Sequence, residues 1–392
     1  MKKTLSKTDK ILLVLTIIFL GFGLIMVLSA SSMESYMRRG HSPYYYFIRQ
    51  SIFVGIGCIL FLIITKIPTR FYKRISSLLL LLITVSLGAL TVYGHVANSA
   101  VSWFRIGPLS IQPSEFAKVI IIIYLASYYD KKKEELDTQW VMMKPLIFIL
   151  PAIFLVALQP DLGTAAIMTG ITAFMFFSVP MKRSVRRKFD LIFVGAILIV
   201  VSIFIITGGS FLKSYQAQRI LNFKDPCERY EEKTGYQVCN SFIAFANGKV
   251  TGQGIGKSTQ KYLYLPESYT DFIFPIIVEE WGMIVGIIVI IFYLIVLYRL
   301  YVIARRATNL NNSLLAYGVC VYVFLHIAVN LIGVMGIGPL TGVPLPFLSY
   351  GGSYTISLLS SLALAQRVAI ETNNETIKKE RKKKHTKKVV VE

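Results

Sequence analysis

Ten apolar runs, most of them long enough to cross a lipid bilayer, dominate this chain of 392 residues. A transmembrane helix takes about 20 residues, because each residue adds only about 1.5 Å to its length. Hydrophobic residues make up 54% of the chain, charged residues make up 16%, and the mean hydropathy is +0.60. This balance excludes a soluble globular domain, so we predict an all-α integral membrane protein with ten transmembrane helices. The predicted spans are residues 11–31, 48–66, 76–94, 114–129, 145–158, 163–180, 189–207, 271–299, 313–335 and 352–370.

Lysine and arginine lie mostly in alternate connections between these spans, which indicates how the helices are oriented. They precede the first span, follow the second, fourth, sixth and eighth spans, and crowd the C-terminal end. Because positively charged loops stay in the cytoplasm, we predict that both termini are cytoplasmic. Residues 208–270, between helices 7 and 8, then form a large extracellular loop, which we call the outer loop. We expect residues 1–370 to form one membrane domain and residues 371–392 to form a basic, disordered cytoplasmic tail.

The formal net charge of +21 does not indicate nucleic-acid binding. The cations lie in short cytoplasmic loops and in one tail, where they set the topology and attract anionic lipid. We therefore expect no nucleic-acid partner.

The outer loop runs into apolar sequence at Asp271, where the eighth span begins. A carboxylate at the edge of a membrane suggests chemistry on a lipid-borne substrate. The alternative is that Asp271 stabilises the N-terminus of helix 8 as a first-turn acid, with Ser268 or Thr270 as the cap. On local sequence alone, this structural interpretation is favoured.

Two further acids, Glu279 and Glu280, fall inside the eighth apolar run. They lie about 12–14 Å deeper along a helix than Asp271. Intramembrane acids are costly and normally face a cavity or a partner. We therefore predict that helix 8 lines a polar hollow and not lipid.

Three other segments carry polar residues towards the same outer side. Trp103 and Arg105 lie in the loop before the fourth span, and Asp161 lies in the turn between the fifth and sixth spans. Residues 342–353, GVPLPFLSYGGS, are too apolar for a solvated loop. We predict that this stretch re-enters or caps the helix bundle.

Glu115 and Lys118 lie three positions apart in the fourth span and share one helical face. They either form a structural salt bridge or take part in a site, and the spacing does not distinguish these roles. Ser114, which follows Pro113, is expected to cap the helix.

The outer loop contains two cysteines, Cys227 and Cys239. Disulfides persist outside the cytoplasm, so the two residues can pair and close a hairpin, or they can remain free thiols. The sequence leaves both states open.

The same loop carries a glycine-rich stretch, GQGIGKS, at residues 252–258. It lacks the glycine that a nucleotide-binding P-loop requires, since position 251 is threonine, and no strand precedes it. Two interpretations remain open. Backbone N–H groups together with Lys257 and Lys261 can bind an anionic head group, or the stretch is a flexible turn with solvated lysines.

Metal binding has little direct support in the sequence. The four histidines are scattered, and no zinc-ligand spacing occurs. A magnesium or manganese ion needs few protein ligands, and carboxylates together with phosphate oxygens can hold one. A divalent cation therefore remains an open cofactor.

Five segments occur together in an order that identifies a family. They are SWFRIGPLSIQPSEFAK, QPDLGTA, GQGIGKSTQKYLYLPES, TDFIFPIIVEEWG and PLTGVPLPFLSYGGS, and they extend over nearly the whole chain. In these segments the chain resembles the SEDS peptidoglycan polymerases, the FtsW and RodA proteins. SASSM and YGHVANSAVSWF make it more similar to the FtsW branch, which acts in cell division, than to the RodA branch.

The resemblance implies a glycosyltransferase that polymerises lipid II at the outer face of the cell membrane and releases undecaprenyl pyrophosphate. Asp271 matches the essential acid of the family and is implied to be the general base for the acceptor sugar hydroxyl. The family usually has histidine where this chain has Tyr269, so no role is assigned to a histidine. The substrate-binding residues implied beside Asp271 are Trp103, Arg105, Glu115, Lys118, Asp161, Lys257, Lys261, Glu267, Glu279, Glu280 and Ser349.

The resemblance also implies partners and a location. The partners are lipid II, undecaprenyl-linked glycan, a class B penicillin-binding protein that acts as transpeptidase, and divisome proteins, and the location is the bacterial division septum. Two alternative functions remain. A lipid II flippase would use the same cavity without a catalytic base. A secondary transporter would use Glu279, Glu280 and Lys118 for ion coupling and would show inverted repeats, which this sequence does not show.

Overall fold

The structure, a computed structural model, describes residues 8–93, 95–97, 100–106, 109–207, 225–228, 230 and 233–389. Within these residues, eleven α-helices form most of the architecture. They are α1 (Lys10–Met33), α2 (Tyr45–Lys66), α3 (Thr69–Tyr93), α4 (Pro113–Lys131), α5 (Gln139–Leu158), α6 (Leu162–Ser178), α7 (Arg183–Thr207), α8 (Lys233–Gly248), α9 (Ile273–Arg306), α10 (Leu310–Val334) and α11 (Gly352–Val389). Helix α1 continues into a π-helical turn, Glu34–Arg38.

Each of the ten predicted spans overlaps a helix. In the described part of the chain, six helices are long and apolar enough to cross a membrane: α1 with its π-helical turn, α2, α3, α5, α9 and α10. Large apolar side chains such as Ile18, Ile59 and Leu81 stay exposed on these helices, as expected of surfaces that face lipid. The chain is therefore a mostly helical, multi-pass membrane protein.

The expectation of an all-α protein is wrong in the connection between α3 and α4. Three antiparallel strands form there: β1 (His95–Ala97), β2 (Ala100–Ile106) and β3 (Leu109–Ile111). Valine, isoleucine and aromatic residues are frequent in this stretch and favour strands. The prediction of an all-α protein relied on long apolar runs, and such runs do not reveal a short sheet in the connection between two of them.

Two further regions also differ from the expectation. The outer loop contains helix α8, and α11 continues to Val389, so the backbone of the basic tail is helical where disorder was expected. Lysine, arginine and glutamate have high helix propensity, and propagation from an existing helix costs far less than nucleation.

Helix α4 lies at the centre of the bundle, surrounded by α3, α6, α10 and α11. Its residues are buried on every face, from Glu115 and Lys118 to Tyr129. Pro113 is its first residue and Gln112 its N-cap, so Ser114 lies inside the helix and is not the predicted cap. Because the surroundings are apolar, the charges on α4 have to find partners within the protein.

Candidate active site

Residues 339–351, between α10 and α11, form an irregular segment inside the bundle, as the sequence predicted. We call it the inner segment. Leu345 is fully buried there. A Cβ on Gly23 of α1 would lie 2.1 Å from the Phe347 carbonyl oxygen, so only glycine permits this close approach. Several of the candidate site residues contact the inner segment.

Asp271 lies in the turn directly before α9, and its side chain is half-buried. The helix begins at Ile273, and its N-cap, Phe272, provides no side-chain cap, so the interpretation of Asp271 as a first-turn acid is wrong. The Asp271 carbonyl oxygen accepts a hydrogen bond of 2.8 Å from the Asn330 side chain. In the inner segment, a Cβ on Gly342 would lie 3.4 Å from Asp271 Oδ2, so the inner segment passes directly beside the carboxylate.

Two of the predicted residues hold the turn that carries Asp271. The Glu267 carbonyl oxygen accepts hydrogen bonds from the N–H groups of Thr270 and Phe272, at 3.1 and 3.2 Å. Its carboxylate accepts a further bond of 2.7 Å from the Thr270 hydroxyl, which therefore does not cap α9. Ser349 of the inner segment donates to the Thr270 carbonyl oxygen at 2.5 Å. Glu267 and Ser349 therefore position the backbone next to Asp271.

A buried tyrosine, Tyr269, occupies the position where the resembling family has histidine. Its ring centroid lies 4.6 Å from that of Tyr46 and 5.7 Å from that of Tyr350. Burial raises the pKa of Tyr269 and raises the pKa of Tyr350 to about 12. Both hydroxyl groups therefore stay protonated at neutral pH, and neither can act as a phenolate base.

Glu279 is fully buried and is bonded to residues at the end of α8 and in the outer loop. Its carboxylate accepts bonds from the Asn247 side chain at 2.9 Å, the Thr259 hydroxyl at 2.7 Å and the Ser258 hydroxyl. The N–H groups of Thr259 and Gln260 donate to it as well, each at 3.2 Å. The predicted polar hollow beside this residue is therefore filled by the outer loop, which satisfies the carboxylate.

Glu280 forms a buried ion pair with Lys261, with 2.8 Å between Nζ and Oε1. The Ser29 hydroxyl of α1 donates to the same oxygen at 2.6 Å. Only 4% of the Lys261 side chain is exposed, so this predicted cation is already paired and desolvated. Lys257, the other predicted cation of the loop, has an exposed side chain.

The glycine-rich stretch packs against a break in α9. The helix is interrupted at Gly282, which has a φ of 86°. Beside the break, the Gln253 N–H donates to the Glu279 carbonyl oxygen at 2.9 Å. A Cβ on Gly252 would lie 2.3 Å from the Glu280 carbonyl oxygen, so no side chain fits there. Gly252 therefore serves a close backbone contact that packs the stretch against α9, whereas Lys257 keeps the exposed side chain expected of a solvated turn.

The charged pair of α4 is buried and has a third member. Lys118 Nζ lies 2.9 Å from Glu115 Oε1 and 3.1 Å from Nε2 of His326 in α10. All three residues are at most 3% exposed. No role was predicted for His326 from the sequence. The missed signal is that His326 and Asn330 lie four positions apart, on one face of the mostly apolar run that forms the C-terminal half of the helix.

The remaining predicted residues lie at the start of α6 and in the sheet. Asp161 is the N-cap of α6 and accepts hydrogen bonds from the Thr164 N–H and the Gln112 side chain, both at 3.1 Å. Trp103 is half-buried on β2. The side chain of Arg105, also on β2, lies outside the described residues.

Cys227 and Cys239 form a disulfide, with their Cα atoms 4.9 Å apart. Cys239 lies in α8, so the bridge joins a turn to a helix and does not close the expected hairpin. The bond links α8, near its middle, to the part of the outer loop that precedes the helix.

A metal centre built from protein ligands alone is not found in the described residues, where no three His, Cys, Asp or Glu side chains come together. Glu279 and Glu280 already bond to protein donors. A magnesium or manganese ion at Asp271 would therefore take most of its ligands from substrate oxygens.

Comparison with known proteins decides the family. The family model described as cell cycle protein, named for FtsW, RodA and SpoVE, matches residues 9–374. The chain belongs to this family. Similar relatives include the probable peptidoglycan glycosyltransferase FtsW of Bacillus subtilis strain 168, which is 36% identical over 100% of this chain and 99% of the relative. The protein of the same name from Wigglesworthia glossinidia brevipalpis is 36% identical over 93% of each chain.

Solved structures share the fold of this family member. A chain from a peptidoglycan synthase complex, described as coordinating polymerization and crosslinking, matches with a TM-score of 0.74 and 25% identity over 93% of this chain and 98% of that chain. The rod shape determining protein RodA of Thermus thermophilus matches with a TM-score of 0.63 and 24% identity, over 92% and 96% of the two chains. The likeness to RodA bears on the fold alone.

Proposed function

We propose that this protein is a peptidoglycan glycosyltransferase that polymerises lipid II into glycan strands and releases undecaprenyl pyrophosphate. Relatives named for peptidoglycan glycosyltransferase activity match nearly the full chain, which supports the proposal. The observation that carries it is the placement of Asp271. Its half-buried carboxylate precedes α9 in a turn whose backbone is bonded to Asn330 and Ser349.

The proposed reaction joins an acceptor sugar hydroxyl to the anomeric carbon of the lipid-linked chain, with inversion. The bond from that carbon to the pyrophosphate oxygen breaks as the new glycosidic bond forms. The hydroxyl proton passes to the Asp271 carboxylate, because a carboxylate held within hydrogen-bond reach acts as a general base.

Negative charge that develops on the leaving pyrophosphate needs a cation nearby. Lys118 and Lys261 are buried in ion pairs, so they are poorly suited to meet a substrate. We therefore propose the exposed Lys257 as the pyrophosphate contact in the outer loop. Trp103 and Arg105, on β2, remain proposed substrate contacts on the grounds of the sequence.

For the topology we propose ten transmembrane spans, cytoplasmic termini and an extracellular outer loop. The overlap of all ten apolar runs with helices supports this arrangement.

A polymerase leaves the peptides of the glycan uncrosslinked, so we propose a class B penicillin-binding protein as the partner transpeptidase. The match to a complex described as coordinating polymerization and crosslinking supports such a partner. The similarity to relatives named FtsW supports the proposal that this protein works with divisome proteins at the division septum.

The test is lipid II polymerisation by the purified complex of this protein and its transpeptidase. Asp271→Asn keeps the side-chain size and removes the base, so we expect polymer formation to fall about 100-fold or more. Asp225→Asn, the same change at an exposed position of the outer loop, is the control and should retain activity. A near-normal rate for Asp271→Asn would disprove the assignment of the base. Transbilayer movement of lipid II by wild type without polymer would favour a flippase.

A further inference from the structure

His326 in α10 contacts both the buried Lys118 and the inner segment. Lys118 Nζ lies 3.1 Å from His326 Nε2, and the Pro344 carbonyl oxygen lies 3.3 Å from His326 Nδ1. An ammonium group can only donate, so Nε2 has to present a lone pair. A carbonyl oxygen can only accept, so Nδ1 carries the proton. The two neighbours therefore select the neutral imidazole in a single tautomer.

A second side chain on the same face of α10 bonds to the backbone of Asp271. Asn330, one turn after His326, donates to the carbonyl oxygens of Asp271 and Val343, both at 2.8 Å. Two successive carbonyl groups of the inner segment, at Val343 and Pro344, are thus bonded by side chains four positions apart on α10. A displacement of the inner segment at Pro344 therefore also disturbs the groups that fix Asp271.

We propose that His326 is a positioning residue for Asp271. As a neutral imidazole protonated on Nδ1, it joins the Glu115–Lys118 pair to the inner segment. It thereby fixes the surface against which the Asp271 carboxylate lies. This inference rests on the proposed role of Asp271 as the general base.

Protonation of His326 would disrupt this arrangement. It would place a second cation 3.1 Å from the Lys118 ammonium group and remove the Nε2 acceptor. Glu115 of α4 is already bonded to Lys118. The rings of Tyr322 and Tyr354, from α10 and α11, lie with centroids 4.8 and 4.7 Å from the imidazole and bring no charge. The arrangement therefore depends on a neutral His326.

Two substitutions separate the hydrogen bonds of His326 from its packing. His326→Gln keeps one acceptor and one donor, whereas His326→Leu keeps apolar volume and loses both. With the purified complex and lipid II, we expect His326→Leu to lower kcat about 10-fold or more and to change KM less than about 2-fold, because a misplaced catalytic group slows the chemical step. We expect His326→Gln to retain most of kcat, because it keeps a donor and an acceptor.

The contrary outcomes are equally specific. Equal loss in both variants would assign His326 to packing, and an unchanged kcat in His326→Leu would overturn the proposal. If His326→Leu does not fold, a fall in kcat of about 10-fold or more in a folded His326→Gln variant also overturns it. Asp271→Asn is assayed in parallel to separate this inference from the proposed function. A normal rate for Asp271→Asn rejects the base, whereas an inactive Asp271→Asn beside a normal His326→Leu rejects only the positioning role.

Discussion

Gly282 shows how one residue controls the approach of the outer loop to α9. Its φ of 86° and ψ of 168° lie in a region that is essentially restricted to glycine. An added Cβ would lie 2.3 Å from the Val250 carbonyl oxygen. Next to the break, the Met283 N–H donates to the Lys249 carbonyl oxygen at 3.0 Å, so the loop satisfies a backbone group that the helix releases.

Gly282→Ala should destabilise the protein and slow polymerisation. The backbone conformation alone costs a non-glycine residue about 1–3 kcal/mol, and the close contact adds to that cost. Gly21→Ala is the matched control, because a Cβ there meets nothing within 4 Å and alanine favours a helix. Melting temperatures in detergent check the prediction. Equal melting of the two variants would contradict it.

At the scale of the element, the outer loop is attached to α9 through carboxylates that sit one after the other. Glu279 binds side chains and N–H groups of the loop, and Glu280 binds Lys261. The sequence identified both acids, because charge within an apolar run is costly. It did not identify Lys261 as the partner of Glu280, since the two residues lie on different elements.

Glu279→Ala should loosen the outer loop without unfolding the helices. The change leaves the fully buried Ser258 hydroxyl without its acceptor, and a buried unsatisfied group costs about 1–3 kcal/mol. The more accessible side chains of Asn247 and Thr259 lose a hydrogen bond as well. We expect faster amide hydrogen exchange across residues 249–261. Glu135→Ala is the control, because its ion pair is exposed and contributes little. Exchange equal to wild type in Glu279→Ala would refute this role.

At the scale of the whole molecule, Glu371 joins the middle of α11 to the starts of α3 and α10, on the side proposed to be cytoplasmic. Its carboxylate accepts hydrogen bonds from the Thr69 N–H and hydroxyl, at 2.9 and 2.6 Å. The side chains of Asn312 and Arg367 donate to it at 3.0 and 2.9 Å. These hydrogen bonds hold together helices α3, α10 and α11, although α3 is far from the other two in the sequence.

Glu371 should make stability depend on pH. Burial alone would raise the pKa of Glu371, but the hydrogen bonds from Thr69, Asn312 and Arg367 outweigh burial and lower it. A lowered folded-state pKa stabilises the protein above the unfolded value of about 4.3, and this contribution is lost as pH falls through the folded value. The melting-temperature difference between wild type and Glu371→Gln should therefore be largest at neutral pH and shrink in acid.

The control for this pH dependence is Glu375→Gln, one turn further along α11 at an exposed position. It should melt like wild type at every pH. If the melting-temperature difference between wild type and Glu371→Gln stays constant through the acidic range, the hydrogen bonds of Glu371 do not depend on its charge.

The amino-acid sequence by itself was sufficient to predict a mostly helical, multi-pass membrane protein, because a bilayer leaves backbone polar groups no partner except within a helix or a closed sheet. It was also sufficient to single out Asp271, Glu279 and Glu280, since acids at or below a membrane edge are costly and conspicuous. The family segments supplied the chemistry expected of Asp271. None of these signals depends on contacts between distant residues.

Only the tertiary structure decided what each charged group contacts. Lys118 and His326 are 208 positions apart, and Ser29 and Glu280 are 251 positions apart. Helical periodicity reports which residues share a face of one helix, but it carries no information on which other helix meets that face. The buried partners of Lys118, Glu279 and Glu280 follow from the packing of separate helices and of the outer loop, and that packing is set by the whole chain at once.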